Sequence, residues 1–387
     1  MNKLFWRIRI PTRCALVLLF GFLPEAAGQP SEGGDQQECR AGFDVGSSGI
    51  RLGSNSGEAD NAESRPINYL ADLNENNDEF KVTTIDKTVG WFQVLRAETE
   101  LPSDCKTVAG GFSAWRRAVQ DGDPGEVADV LADIHHRTGV PLYVIPLEEE
   151  GKYGYRAAQA ALDEQLTTQA IWDIGGGSMQ IAQEDAAWGS ALGQREWRRL
   201  FCATIKHDPR PDCAPNPVGD EALGSATEVL AGYVEAARDT LGVRFTVTAI
   251  SPPIVRTMHP ILKCSTRGHI TGGSVDETGF DREALAQAID RLAPSNDEGI
   301  RQILDDCDEV GSDFISTAVT DMLLVHAFME GLAIDRLEVA VVKINNVAGL
   351  IADDHAFAWA KEYDCYLERL REQGVSAYRS DPATCPN

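Results

Sequence analysis

The sequence contains no apolar run that approaches the roughly 20 residues a membrane-spanning helix needs, so no helical span is expected, the N-terminal apolar run being too short as well. It is short of positive charge, with 35 Lys and Arg against 60 Asp and Glu and a net charge of −25. An acidic surface repels polyanions at long range. Nucleic acid is thereby disfavoured as a partner, and a very long anionic substrate is too, unless the negative charge lies away from the cleft. A high-salt habitat would produce the same bias. No Cys-x-x-Cys pair occurs, and the scatter of the cysteines argues against a zinc site. No Ser/His/Asp or Cys/His set offers a catalytic nucleophile, and His135 and His136 read as surface residues of a helix.

What is present begins with an export signal. Lys3, Arg7, Arg9 and Arg13 precede an apolar run from Cys14 to Leu23, and Ala26-Ala27-Gly28 forms a small-residue cleavage site. Residues 1–28 are therefore expected to be removed and the remainder to be soluble, periplasmic or secreted. This segment holds four cations and one anion, so the remainder carries −28. Eight of the nine cysteines remain, an even number that suits an oxidising compartment and up to four disulfides. Cys202 with Cys213 and Cys365 with Cys385 are the plausible local pairs.

A chain of this length is expected to form two lobes with separate cores. Residues 29–37 read as a disordered leader and Gly53 to Ser64 as a long loop or hairpin turn. Strands are expected at Ala41–Val45, Pro141–Ile145, Ala170–Ile174, Phe245–Ile250 and Leu337–Lys343, with Met179–Ala182 as the hairpin partner of Ala170–Ile174. Helices are expected at Pro124–Thr138, Glu148–Leu162, Asp220–Leu241, Asp281–Leu292, Asp297–Asp305 and Phe314–Leu332. Strands alternating with helices give an α/β class.

One pattern recurs: Asp44-Val-Gly-Ser-Ser and Asp173-Ile-Gly-Gly-Gly-Ser178 are each a strand with an aspartate near its end and then a Gly/Ser turn. Such a turn presents backbone N–H groups and hydroxyls to an anion, while the carboxylate can hold a metal through water. Two of them facing each other would clamp a phosphate chain. Gly46, Ser47, Ser48 and Arg51 belong to the first, with Arg51 placed to neutralise a phosphoryl oxygen. Gly175, Gly176, Gly177 and Ser178 make the second. The third feature is Glu148-Glu149-Glu150, delivered to a strand end by the apolar residues before it. A glutamate there can accept a proton from an attacking water, although carboxylates in a first helical turn also serve the helix dipole.

These residues carry a resemblance. Asp44 to Arg51, Ser113-Ala-Trp-Arg116, Glu148 to Tyr155 and Asp173 to Gln180 stand in an order and spacing similar to the exopolyphosphatase/guanosine pentaphosphatase (Ppx/GppA) family. The run Asp321 to Gly331, then Ile334 to Lys343 and Ala348-Gly-Leu350, resembles that family's ending. The wording of Gly46 to Arg51, Glu150 to Tyr155 and Gln180 is closer to the related ecto-apyrases. Either resemblance implies a two-lobed actin-like (ribonuclease H-like) ATPase fold with the site between the lobes. The division expected is 38–165 for the first lobe, 166–351 for the second, and 352–387 for a C-terminal helix and tail on the first lobe.

The resemblance implies a hydrolase of phosphoanhydride bonds that uses Mg2+, with Ca2+ or Mn2+ as substitutes. Glu150 would be the base for water, Ser178 and Gln180 would orient that water, and Ser47, Ser48, Arg51 and Arg116 would hold phosphate. Asp44 and Asp173 would position hydrated magnesium. The expected substrate is a small molecule with a phosphate chain, either polyphosphate or a guanosine pentaphosphate. An apyrase acting on nucleotides is the rival enzyme, and an inactive phosphate- or nucleotide-binding protein the rival of another class. Three departures bear on the choice: Phe112 stands where threonine is usual, Ser251-Pro252-Pro253 replaces a Gly-Gly-Thr turn, and Asn345-Asn346 replaces an arginine-containing turn.

Overall fold

The computed structural model describes residues 38–55, 64–210, 212–265, 273–305, 307, 310, 315–342 and 346–386. The expected signal segment, the leader 29–37, most of the polar segment between Gly53 and Ser64, and Asn345 lie outside the described residues. Among the described residues no helix is long and apolar enough to cross a membrane.

Among the described residues twelve strands form two sheets. The first contains β1 (Arg40–Val45), β2 (Gly49–Ser54), β3 (Arg65–Pro66), β4 (Lys106–Gly111) and β5 (Leu142–Val144), in the order β3-β2-β1-β4-β5. The second contains β6 (Ala170–Ile174), β7 (Met179–Gln183), β8 (Ala187–Ser190), β9 (Val247–Ala249), β10 (Val275–Asp276), β11 (Gly279–Asp281) and β12 (Arg336–Val339), in the order β10-β11-β12-β9-β6-β7-β8. Both are built on one plan. β1 pairs antiparallel with β2 and parallel with β4, which pairs parallel with β5. β6 likewise pairs antiparallel with β7 and parallel with β9, which pairs parallel with β12. The repeated Asp-x-Gly pattern thus marks the same position in two copies of one unit, and the fold is the α/β, two-lobed arrangement expected.

Local chemistry explains the elements. The helix Pro124–Thr138 starts on Asp123, whose carboxylate accepts from the Gly125 N–H, has proline in its first turn, and stops at Gly139 with φ 69°. Its Val127, Leu131 and Ile134 are buried, as their spacing predicts. Parallel strands need crossovers, and this helix with Ala114–Gln120 supplies the one between β4 and β5. The first core gathers Phe43, Phe92 and Trp115 with Trp359, Tyr363 and Tyr366 of the C-terminal segment. There the Tyr363 and Tyr366 hydroxyls accept from the Leu142 and Val144 N–H groups of β5, at 3.3 and 2.8 Å. An edge strand's exposed donors are satisfied in this way. Leu350, counted above with the second lobe, is buried in this first core. A second core lies under β6 to β12, with Trp172, Trp197 and Phe328.

Three expectations change. Gly49–Ser54 is a strand, not part of a turn, so Arg51 stands on β2 opposite Asp44 rather than in the loop. The region between Ser64 and Pro124, for which no helix or strand is expected above, holds the helix Val82–Glu98, whose Ile85, Val89, Phe92 and Leu95 are buried. His135 is half-buried, its ring 4.6 Å from that of Tyr363, because the C-terminal helix Tyr363–Gln373 packs over it. His136 is exposed, as expected.

All eight described cysteines are paired: Cys39–Cys105, Cys202–Cys213, Cys264–Cys307 and Cys365–Cys385. Both local pairs expected from the sequence are among them.

Candidate active site

The two turns have matching geometry. The Gly46 N–H donates to the Gly49 carbonyl at 3.0 Å, and the Gly175 N–H donates to the Ser178 carbonyl at 2.8 Å. Each closes a tight reversal directly after its aspartate strand. In register, Asp44 faces Arg51 and Asp173 faces Gln180, so Arg51 and Gln180 are counterparts in the two copies. The backbone carbonyls of Ser47 and Ser48 accept from Tyr69 and Ile67, which fixes the first turn. Among the described residues their hydroxyls have no hydrogen-bond partner, which leaves them available to a ligand.

The lobes meet closely at the second turn. A Cβ on Gly177 would lie 2.3 Å from the Ser113 Oγ, so any larger residue there would have to turn the Ser113 hydroxyl aside. Ser113 itself has φ 26°, a strained conformation at the start of the helix Ala114–Gln120. That helix carries Arg116 into the crevice.

Arg116 is the hub of the site and is 3% exposed. Its guanidinium donates to the Ile145 carbonyl at 2.9 Å and to the Ser178 hydroxyl at 3.2 Å, and lies 2.6 Å from the Glu150 carboxylate. The Gln180 amide donates to Glu150 and to the Ser178 hydroxyl, both at 3.0 Å. Of the three consecutive glutamates, Glu148 pairs with Arg379 and Glu149 with Lys152. Glu150 alone turns to the crevice. The reason is helical: the helix Leu147–Leu162 begins directly beyond β5, and at about 100° per residue its third glutamate points well away from Glu149 and to nearly the opposite side from Glu148.

Burial pushes the Glu150 carboxyl above the usual carboxylate range, opposed chiefly by the Arg116 guanidinium. Asp44 is raised by burial too, with Arg51 acting against it from 3.6 Å and the Asn346 N–H donating at 3.2 Å. Asp173 is pushed up to about 6, first by burial and then by the charges of Glu150 and Asp44. Three carboxylates therefore feel one another across the crevice, with Arg51 and Arg116 as their partners. Among the described residues no group of three or more His, Cys, Asp or Glu is arranged to hold an ion directly. A hydrated cation, held through its waters, fits the excess negative charge of Asp44 and Asp173.

Gly46, Ser47, Ser48, Arg51, Asp44, Arg116, Glu150, Asp173, Gly175, Gly176, Gly177, Ser178 and Gln180 are all placed at or beside the two turns. Three neighbours were not read as site residues. Asn346 contributes its N–H to Asp44 and its side chain to Glu150. Ser113 touches the second turn, and the Arg195 side chain lies over Gly176, its Nε 3.6 Å from where a Cβ would stand. A cavity of about 550 Å3 opens from Arg116, Gly177 and Ser178. Phe112 is buried with its ring against Gly110, so the residue replacing threonine serves the core.

No family model and no curated protein matches the chain. Solved structures do. The Ppx/GppA family member of Aquifex aeolicus is 16% identical, with 84% of this chain and 98% of that chain covered and a TM-score of 0.58. An exopolyphosphatase-like protein is 16% identical over 82% of this chain and 98% of that one, with a TM-score of 0.52. An exopolyphosphatase from Cytophaga hutchinsonii is 13% identical over 84% of this chain and 98% of that chain, with a TM-score of 0.50. Across most of its length, then, the chain has the fold of the Ppx/GppA proteins.

Proposed function

We propose that this protein hydrolyses the terminal phosphoanhydride bond of a phosphate chain by direct attack of water. The observation that carries the reading is Glu150, held by Arg116 and Gln180 beside Ser178, in a crevice where it feels the charge of Asp44 and is felt by Asp173, the aspartates of the two matching Gly/Ser turns. Phosphoryl transfer asks for an aligned water and neutralised charge more than for a strong nucleophile. Glu150 accepts the proton of the attacking water. Ser178 and Gln180 orient that water, and the N–H groups of both turns, with Ser47, Ser48, Arg51 and Arg116, hold the phosphoryl oxygens. Asp44 and Asp173 would hold hydrated Mg2+, with Ca2+ or Mn2+ as substitutes. When bound, the ion would supply charge neutralisation on the phosphate chain.

The first 28 residues and the four disulfides support export to an oxidising compartment. The substrates proposed are polyphosphate or a guanosine pentaphosphate. Gln180 and the wording of Gly46 to Arg51 favour the second reading, an exported apyrase. Phosphate release from the chain lacking residues 1–28, with Mg2+, is to be compared on polyphosphate, ATP, ADP and pyrophosphate. Faster release from polyphosphate is expected. A preference for ATP and ADP would replace the reading with the apyrase, and binding without release would reduce the protein to a ligand-binding one.

A further inference from the structure

The helix Leu147–Leu162, which carries Glu150, starts on Pro146 and so without a side-chain cap. Gly151 and Gly154 lie in its second turn, where glycine weakens a helix. They also let the second sheet come close: a Cβ on Gly151 would lie 3.2 Å from the Ala187 Cβ of β8, and one on Gly154 3.4 Å from the Ile171 side chain of β6. The direction in which the first turn points is therefore set from outside the helix. Nearly opposite Gly151, and within about 60° of Glu150 round the axis, stands Tyr153. Its hydroxyl belongs to a cluster built by the C-terminal segment. It lies 2.8 Å from the Tyr378 hydroxyl, and the two donate to one oxygen of the Asp353 carboxylate, at 2.5 and 2.8 Å. The other Asp353 oxygen accepts from the His355 N–H at 3.0 Å, and the Tyr378 carbonyl accepts from the Trp359 indole at 3.1 Å. Both tyrosines are buried, and burial holds their phenols well above the usual range, so they remain donors. Beside Tyr378, Arg379 pairs with Glu148 in the first turn of the same helix. The disulfide Cys365–Cys385 closes the loop that contains Tyr378 and Arg379.

We propose that Tyr153, Asp353 and Tyr378 are positioning residues, a clamp through which the C-terminal segment fixes the rotation of this helix and so the aim of the Glu150 carboxylate at the attacking water. This rests on the function proposed above. The chemistry itself uses none of the three groups. A catalytic group has to be held within about 0.5 Å of its productive place by residues that are themselves locked. Glu150 meets Arg116 at 2.6 Å and Gln180 at 3.0 Å, and a small turn of the helix about its axis disturbs both contacts together. The second sheet bounds the helix on the glycine side, and the hydroxyl cluster bounds it on the other.

The test uses Tyr378→Phe and Tyr153→Phe, each of which removes one hydroxyl and little else, with tripolyphosphate and Mg2+ as the probe. Should one variant fail to fold, the other reads the same cluster from the opposite side. In each, kcat should fall at least about threefold, within the roughly 10²-fold that a misplacement of about 1 Å costs, while KM stays within about twofold. In the Glu150→Gln background the same substitutions should make no further difference, because the hydroxyls act through Glu150. Crystal structures of the parent and of either variant should differ by about 0.5 Å or more in the separation of Glu150 from Arg116. A smaller loss of kcat in both variants, an equal loss with and without Glu150, or an unmoved Glu150 would overturn the clamp. A parent that releases no phosphate from any substrate would sink the hydrolase reading alone, and the crystal structures would then decide the clamp.

Discussion

At the scale of single residues, the site is a problem of buried charge. A carboxylate removed from water holds its proton more tightly, and a nearby guanidinium loosens it again. Glu150 shows both effects, and burial wins. A base must be ionised to accept a proton, so the turnover rate should rise with pH through a midpoint above the ordinary value of 4.5 and then level off. A pH profile of kcat checks this; a midpoint at or below that value would contradict it. Asp321 is a second case, outside the chemistry. It is buried, bonded by the Gln194 amide at 2.6 Å, and pushed up to about 7. Between pH 4 and pH 7 the folded protein keeps a proton there that the unfolded chain has lost. Stability therefore falls as pH rises through that window, by at most about 1.4 kcal/mol per unit. Asp321→Asn should lose less stability than the parent between pH 4.5 and 8 in thermal unfolding. The chemistry of Asp44, Asp173 and Glu150 was legible as residue type and spacing. Asn346 was not, because it reaches Asp44 from 302 positions along the chain and stands where an arginine turn was expected.

At the scale of elements, long helices with one apolar stripe were read well. The helices Pro124–Thr138 and Asp220–Leu241 fall where their spacing predicts. The strand Gly49–Ser54 was missed because its two glycines and its serine are the vocabulary of turns, and only pairing with β1 makes it a strand. Val82–Glu98 was missed although its buried positions recur at helical intervals, since Thr, Asp, Lys and Gly between them dilute the stripe. Packing between elements is finer still. A Cβ on Gly349, in the helix Val347–Ile351, would lie 2.3 Å from the Tyr153 Cα of the helix that carries Glu150. Gly349→Ala should thus push that helix aside, costing about 1–3 kcal/mol and lowering turnover as well. Calorimetry with phosphate-release assays checks both; a fully stable, fully active variant would show that the helix position is not set there.

At the scale of the whole molecule, two copies of one sheet plan bring two aspartates to one crevice. Their likeness was visible as a repeated Asp-x-Gly pattern, but the facing of the copies depends on contacts remote in sequence. The disulfides illustrate the same limit. Cys202–Cys213 and Cys365–Cys385 were legible from proximity, whereas Cys39–Cys105 exists because the residues beyond them, Arg40 and Lys106, are partners in neighbouring strands. Closing a loop with a sequence separation of 66 should make that bond worth about 4 kcal/mol. Reductant should lower the unfolding temperature markedly, and Cys39→Ala with Cys105→Ala should account for a larger share of the loss than Cys202→Ala with Cys213→Ala. The central claim is that the lobes converge on Glu150 as the base for an attacking water. It is tested most directly by measuring kcat and ligand-induced thermal stabilisation of Glu150→Gln in parallel. The account predicts a loss of about 10²- to 10⁴-fold in kcat with stabilisation by tripolyphosphate and Mg2+ largely retained. Turnover within a few-fold of the parent would contradict it.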